Sequence, residues 1–191
     1  MNKTISIFIA IAIAFSFKSI PPATWSLDDA HSNLRFSITH LMVSEIEGSV
    51  QIHEAALKTV NDDFSDASVS IKGDMKTIDT DNDGRDEHLR SPDFFDTEKY
   101  PSLRFASSSF KKVEDNKYEV TGPLIFHGIT QTVTLEVIAN PGTNPWDNKS
   151  IVGFKVSGKI KRKDFGIGMD TPSAVLSDEV IIKANVIFVK D

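Results

Sequence analysis

From Leu34 onward, apolar and polar residues alternate almost without interruption. Leu34, Phe36 and Ile38 interleave with Arg35, Ser37 and Thr39, and Val50 and Ile52 follow. Val69, Ile71 and Met75 lie among Ser68, Ser70, Lys72 and Asp74. Leu103 and Phe105 start another run, and Tyr118, Val120, Leu124 and Phe126 the next. Val133, Leu135 and Val137 alternate with Thr132, Thr134 and Glu136, and Val152, Phe154, Val156 and Ile160 with Gly153, Lys155, Ser157 and Lys159. A last run, Val180 to Val189, is apolar on both faces in places. Period two is the mark of half-buried strands, and it predicts eight of them plus a short one at Trp25 to Asp28. Short turns such as Glu114-Asp115-Asn116 and His127-Gly128 favour antiparallel neighbours. Eight antiparallel strands can close into a barrel and remove both sheet edges. A two-sheet sandwich is the competing arrangement, and the long final strand favours the barrel.

One region breaks the period. Between Ile78 and Pro101 the pattern leaves room for two short helices, a helical insertion near residues 82–97. One is expected around Gly84 to Arg90. The other would begin with Ser91 as N-cap, Pro92 in the first turn and Asp93 on the favourable end of the helix dipole. Phe94 and Phe95 follow as an apolar pair that needs cover. The segment opens with Asp79-Thr80-Asp81-Asn82-Asp83-Gly84, which matches the first half of an EF-hand loop. Position twelve, however, must be a bidentate Glu and is Arg90, a cation that cannot ligate another. A looser calcium site on Asp79, Asp81 and Asp83 is a separate alternative, and a solvated acidic turn is the plain one. A Pro/Gly/Asn-rich stretch, Asn140 to Ser150, predicts a long exposed turn carrying Trp146.

The N-terminus is set apart from this pattern. Lys3 precedes an apolar run from Ile5 to Phe17, which is too short to span a membrane and suits a signal peptide over residues 1–19, cut somewhere between 16 and 23. Residues 24–191 then make one domain, with no integral membrane segment in the mature protein. Without Lys3 and Lys18, 19 Lys and Arg stand against 27 Asp and Glu, which disfavours nucleic acid as a partner. No cysteine is present, so no disulfide or thiolate chemistry supports the fold. The five histidines show no zinc-motif spacing, and there is no G-x-S-x-G or phosphate-binding glycine loop. His40 shares the parity of Leu34, Phe36 and Ile38 and is expected to point inward, whereas His53 is out of phase and expected outside. His127 reads as turn punctuation.

Four ordered motifs carry a resemblance. WSLDDAHSNLRFSITHLMVSEIEG holds His31-Ser32, Phe36, His40 and Gly48. IDTDNDGRDEHLRSPDFFDTEKYPSLRF holds Thr80, Arg85-Asp86, His88-Leu89, Phe94-Phe95, Tyr100-Pro101 and Phe105. GPLIFHGITQTVTL and KIKRKDFGI follow, the latter with Arg162, Asp164, Phe165 and Gly166. Together they resemble the YceI-like polyisoprenoid-binding family over essentially the whole chain from Trp25. The resemblance implies an all-β, eight-stranded antiparallel, lipocalin-like barrel around an elongated apolar interior. It also implies an exported, periplasmic or secreted protein that holds a long-chain isoprenoid or other lipid as its ligand, with no other cofactor and no catalytic residues. The lining expected for such an interior is Phe36, Ile38, Phe94, Phe95, Phe105, Phe126, Val133, Phe154, Val156 and Phe165, with His40, Arg85 and His88 near a polar end. Asp86 is expected to pair with neighbours of Arg85 or with Arg162 and so pin the insertion. Each five-carbon isoprene unit buried would contribute ~3 kcal/mol before entropy losses, so tolerance of chain length and weak head-group selectivity are expected. A lipid-modifying enzyme using His40 or His88 and a calcium-stabilised secreted binding protein are the other classes carried forward. A homodimer is left open.

Overall fold

A computed structural model describes residues 21–191; the expected signal peptide lies outside the described residues. Nine strands run β1 (Ala23–His40), β2 (Ser44–Thr59), β3 (Ser68–Asp79), β4 (Ser102–Ala106), β5 (Ser109–Glu114), β6 (Lys117–Phe126), β7 (Ile129–Thr143), β8 (Ser150–Lys161) and β9 (Leu176–Lys190). Every pairing is antiparallel, in the order β4-β3-β2-β1-β9-β8-β7-β6-β5. A further pairing, Arg104 with Ile125 and Phe105 with Leu124, joins β4 to β6 and closes the ring. Because β4 and β5 succeed one another along β6, the barrel has eight staves, as the pattern predicts.

Two of the predicted runs are redrawn by local geometry. The short run at Trp25 and the run from Leu34 are one strand of 18 residues, interrupted by a register shift between Asp28 and Asn33. Ser32 fills that bulge by donating to the Asp28 carbonyl (2.6 Å) and accepting the Ile187 amide (2.9 Å). Conversely, the run starting at Leu103 is split. The Ser107 amide bonds back to Val69 on β3 and the Ser108 amide to Thr121 on β6, so the chain changes partner there. Gly122 makes this possible, since a Cβ on it would lie 2.0 Å from the Ala106 carbonyl oxygen. The β7–β8 loop is also shorter than expected, because strand pairing continues to Thr143 and Ser150; Trp146 stands 91% exposed at its tip.

The barrel has a closed end and an end that carries the insertion. At the closed end the segment 60–67 folds under the strands and buries Phe64 against Trp25 and Phe154, with ring centroids 5.7 Å apart in each pair. Phe154 also meets Phe188 and Phe110, and Phe110 meets Tyr118. The Tyr118 hydroxyl donates to the Asp63 carbonyl and ties the plug down, and burial raises the pKa of this phenol. At the other end sit the β1–β2 hairpin, the β6–β7 turn, the insertion between β3 and β4, and the connection from β8 to β9. His127 (φ 50°) and Gly128 (φ 74°) make the two-residue turn that left-handed geometry requires.

Within the insertion, one helix forms rather than two. Helix α1 (Asp83–Arg90) is capped by Asn82, whose side chain accepts the Arg85 amide. Ser91 is its C-cap: the Ser91 amide and hydroxyl both bond the His88 carbonyl. A residue before proline is pushed out of the helical region, and Ser91 is accordingly extended (φ −68°, ψ 166°). The chain then runs in turns, with the Phe95 and Thr97 amides bonding back to the Leu89 and Arg90 carbonyls.

Candidate functional site

Inside the insertion end lies a cavity of about 300 Å³, walled by β1, β2, β3, β8 and β9 and roofed by α1 and the turns after it. A second cavity of about 120 Å³ continues toward the closed end, and its lining consists entirely of Leu, Ile, Val, Phe and Ala. Leu34, Leu103, Phe126, Ile160 and Ile182 line both, forming a ring between an upper and a lower chamber. Burial along the strands reports the same division. Leu34, Phe36, Ile38 and Ile182 face inward yet are only half-buried, because they look onto open space, whereas Leu57, Val152 and Phe188 near the plug are wholly enclosed.

The roof is pinned by a compact polar knot on Thr80, which is itself buried. Asp86, also buried, accepts the Thr80 amide (3.0 Å) and hydroxyl. Arg85 donates from Nε to the Thr80 hydroxyl oxygen (2.7 Å) and from Nη2 to the Thr80 carbonyl (2.6 Å). Arg90 adds a bond to the Ile78 carbonyl (3.3 Å). An aspartate that accepts two donors while an arginine closes over the same residue fixes where α1 leaves β3. Below the knot, Phe95 stacks on Phe126 at 5.5 Å, and His88 stands edge-on to Phe94 at 4.9 Å.

The far rim is held by Arg162, in the 3₁₀ turn Arg162–Phe165 between β8 and β9. This side chain is buried, and all five of its N–H donors are used on backbone carbonyls. Nε donates to Ser177 (3.0 Å), Nη1 to Ile167 (2.9 Å) and Gly168, and Nη2 to Thr171 (2.8 Å) and Leu176 (3.0 Å). Burial pushes the pKa of this guanidinium down, and the Asp178 carboxylate partly opposes that. Gly168 passes under Phe94 with φ 55°, where a Cβ would lie 3.0 Å from the ring. Of the two alternatives expected for Asp86, the pairing with Arg162 is corrected: Asp86 binds Thr80, which Arg85 also holds, and Arg162 gathers the β8–β9 connection.

Most of the residues singled out from sequence meet around these chambers. Phe36, Ile38, His40, Arg85, His88, Phe94, Phe95 and Phe126 line the upper one, and Phe105, Phe126, Val133, Phe154 and Val156 the lower. Phe165 is the exception. It is buried against Phe126 (5.6 Å) in the wall, outside the lining of both cavities. Asp79, Asp81 and Asp83 do not converge, and no metal-holding group of three His, Asp or Glu side chains exists among the described residues. Asp79 instead accepts the Asp81 amide in a tight turn (2.9 Å). His53 is exposed beside Glu54, and His127 donates from Nδ1 to the Phe165 carbonyl (3.0 Å) from its turn. Sequence reasoning overlooked Val50, Met75, Ile160 and Ile182, which have inward parity but are not aromatic, and the anchoring of Arg162, whose partners lie 5 to 15 residues away.

The known families include one that matches this architecture: the YceI-like domain, over residues 25–188. Protein YceI of Salmonella newport is 33% identical over 185 residues, covering 95% of this chain and 96% of its own. The crystal structure of BcnA from Burkholderia cenocepacia superposes with a TM-score of 0.74 at 26% identity, covering 84% of this chain and 98% of that one. A polyisoprenoid binding domain from Saccharophagus degradans, implicated in plant cell wall breakdown, superposes with a TM-score of 0.63 at 16% identity, over 88% and 99% of the two chains.

Proposed function

This chain belongs to the YceI-like family, and we propose that its barrel holds one long-chain isoprenoid or comparable lipid, its tail in the lower chamber and its head beneath the insertion. The observation that carries this reading is the pair of apolar cavities meeting at the ring of Leu34, Leu103, Phe126, Ile160 and Ile182. An empty apolar space loses contacts that a hydrocarbon would supply, and a methylene moved there from water gains about 0.8 kcal/mol. The lower chamber offers nothing polar, so it suits the chain and not the head. His40, Arg85 and His88 stand at the upper chamber, where a head group would lie. The polyisoprenoid binding named for the Saccharophagus domain supports the same chemistry here. The role proposed is carriage or storage without catalysis, outside the cytoplasm, in line with the apolar run at residues 5–17.

Native mass spectrometry of protein purified without detergent, followed by organic extraction, tests this directly. Copurified mass of an isoprenoid or fatty chain supports the reading. A folded protein that neither retains such a chain nor takes one up when offered overturns it.

A further inference from the structure

The upper chamber opens beside a set of apolar side chains that the fold exposes to solvent. The turn between β1 and β2 consists of Leu41 (52% exposed), Met42 (75%) and Val43 (85%). Leu41 and Met42 are both left-handed, with φ of 52° and 59°. Glycine or asparagine would hold this conformation with less strain, so the backbone tolerates a cost to present two large apolar groups outward. The turn is also braced. The Leu41 amide donates to the Val175 carbonyl at 2.8 Å, in the same connection that Arg162 gathers with its five bonds. Val175 (38% exposed) and Met169 (57%) add to the apolar surface. His40, the residue before the turn, and Val175 itself line the upper chamber, so these side chains form its lip.

We propose that this lip, Leu41, Met42 and Val43 with Met169 and Val175, dips into the surface of a zwitterionic bilayer and seats the chamber mouth on it. The choice of a bilayer rests on the reading that the barrel holds a membrane-derived chain, because such a chain must cross between the two without facing water. Size argues against a second copy as the occupant, since five side chains are far short of the roughly 20–30 residues a side of a standard protein interface. A few apolar groups do suffice for reversible association with a bilayer. Charge selects the lipid. Residues 41–45 and 169–175 contain no lysine or arginine, while Glu45 and Asp170 are exposed beside the lip. Lys163 reaches Ser173 (3.3 Å), but Glu45, Asp170 and the chain's net charge of −6 leave anionic headgroups facing net like charge, so binding should rest on apolar insertion rather than on charge attraction.

The test uses the chain from Pro21, which carries every strand of the closed barrel, with phosphatidylcholine vesicles. The chain has no cysteine, so Met42→Cys and Trp146→Cys each give a single label site, at opposite ends of the barrel. An environment-sensitive dye at position 42 should shift to the blue on vesicles, and one at 146 should not. The unlabelled Met42→Ser/Val43→Ser variant should partition at least about tenfold more weakly while retaining a fluorescent long-chain probe. Partitioning should not fall when salt is raised, and it should fall when phosphatidylglycerol is added. Absence of vesicle binding by a protein that still retains the probe overturns the docking and leaves the chain-binding reading standing. A blue shift at 42 in a protein that retains no probe would do the reverse. A shift at 146, or a shift at 42 without vesicles accompanied by a dimer mass, would overturn the bilayer as occupant.

Discussion

Arg162→Met removes five donors and a charge from a buried position while roughly conserving length. Of the five carbonyls left behind, those of Ile167 and Gly168 belong to buried residues, and those of Thr171, Leu176 and Ser177 to half-buried ones that water can reach. The Gly168 carbonyl keeps the Thr171 amide (3.0 Å), so only that of Ile167 is left without a partner. An unsatisfied buried carbonyl costs about 1–3 kcal/mol, so a loss of about that size is expected, a sizeable fraction of the 5–15 kcal/mol typical of a domain. Arg162→Lys should recover only part of it, because three donors on one nitrogen cannot span carbonyls distributed around a planar fork. Urea unfolding followed by fluorescence measures the global loss. Limited proteolysis reads the local one, as cleavage within residues 166–176 before the strands yield. A loss below about 1 kcal/mol with unchanged proteolysis would refute the claim that this side chain organises the rim.

Gly122→Ala should lower stability by several kcal/mol, since its Cβ would meet the Ala106 carbonyl oxygen at 2.0 Å where β4 gives way to β5; a melting temperature within a degree or two of the parent would contradict that packing. Ile182→Trp, on the ring between the chambers, should shift retention toward shorter chains severalfold, and equal retention of short and long probes would show that the tail does not pass the ring. Asp66 accepts the Thr59 hydroxyl and the amides of Val60 and Asn61 at 2.7 to 3.0 Å. Slight burial pushes its pKa up, but these bonds outweigh that and hold the carboxyl below its usual range. Its stabilisation is therefore present above the unfolded-state pKa of about 3.9 and lost as pH falls through the lower folded value. Asp66→Ala should cost about 1–2 kcal/mol at pH 7, and the gap to the parent should narrow below about pH 4 in acid-unfolding curves; a gap constant with pH would rule out the carboxylate as its origin.

Period-two alternation made the strands and most of the chamber walls legible, because a side chain's parity decides which face it takes. Phe36, Ile38 and His40 could be assigned inward from Leu34 alone. Parity says less about depth. Phe165 and Phe126 are both inward aromatics, but only one meets open space, and that depends on the 3₁₀ turn beneath it. Ser91 misled for a related reason: the residues that begin a helix also end one, and the proline after it decided the outcome through its effect on Ser91 itself. The β1–β2 turn gave no signal, since Leu41 and Met42 are not turn formers. Arg162 was visible as a motif residue but not as an anchor, because its partners are carbonyls, which every residue has.

The first and last strands of this barrel lie side by side. Trp25 faces Lys190, and the Asp191 amide reaches the Thr24 carbonyl at 3.1 Å. The seam therefore joins the first strand to the last, and without β9 both β1 and β8 keep open edges. Closure waits for the whole chain, at the loop-entropy cost that makes distant pairings slow. The seam also leaves Thr24 and Asp191 near enough for a short linker, so the order of strands could be rotated with new ends at the exposed loop around Trp146 without changing which strands meet.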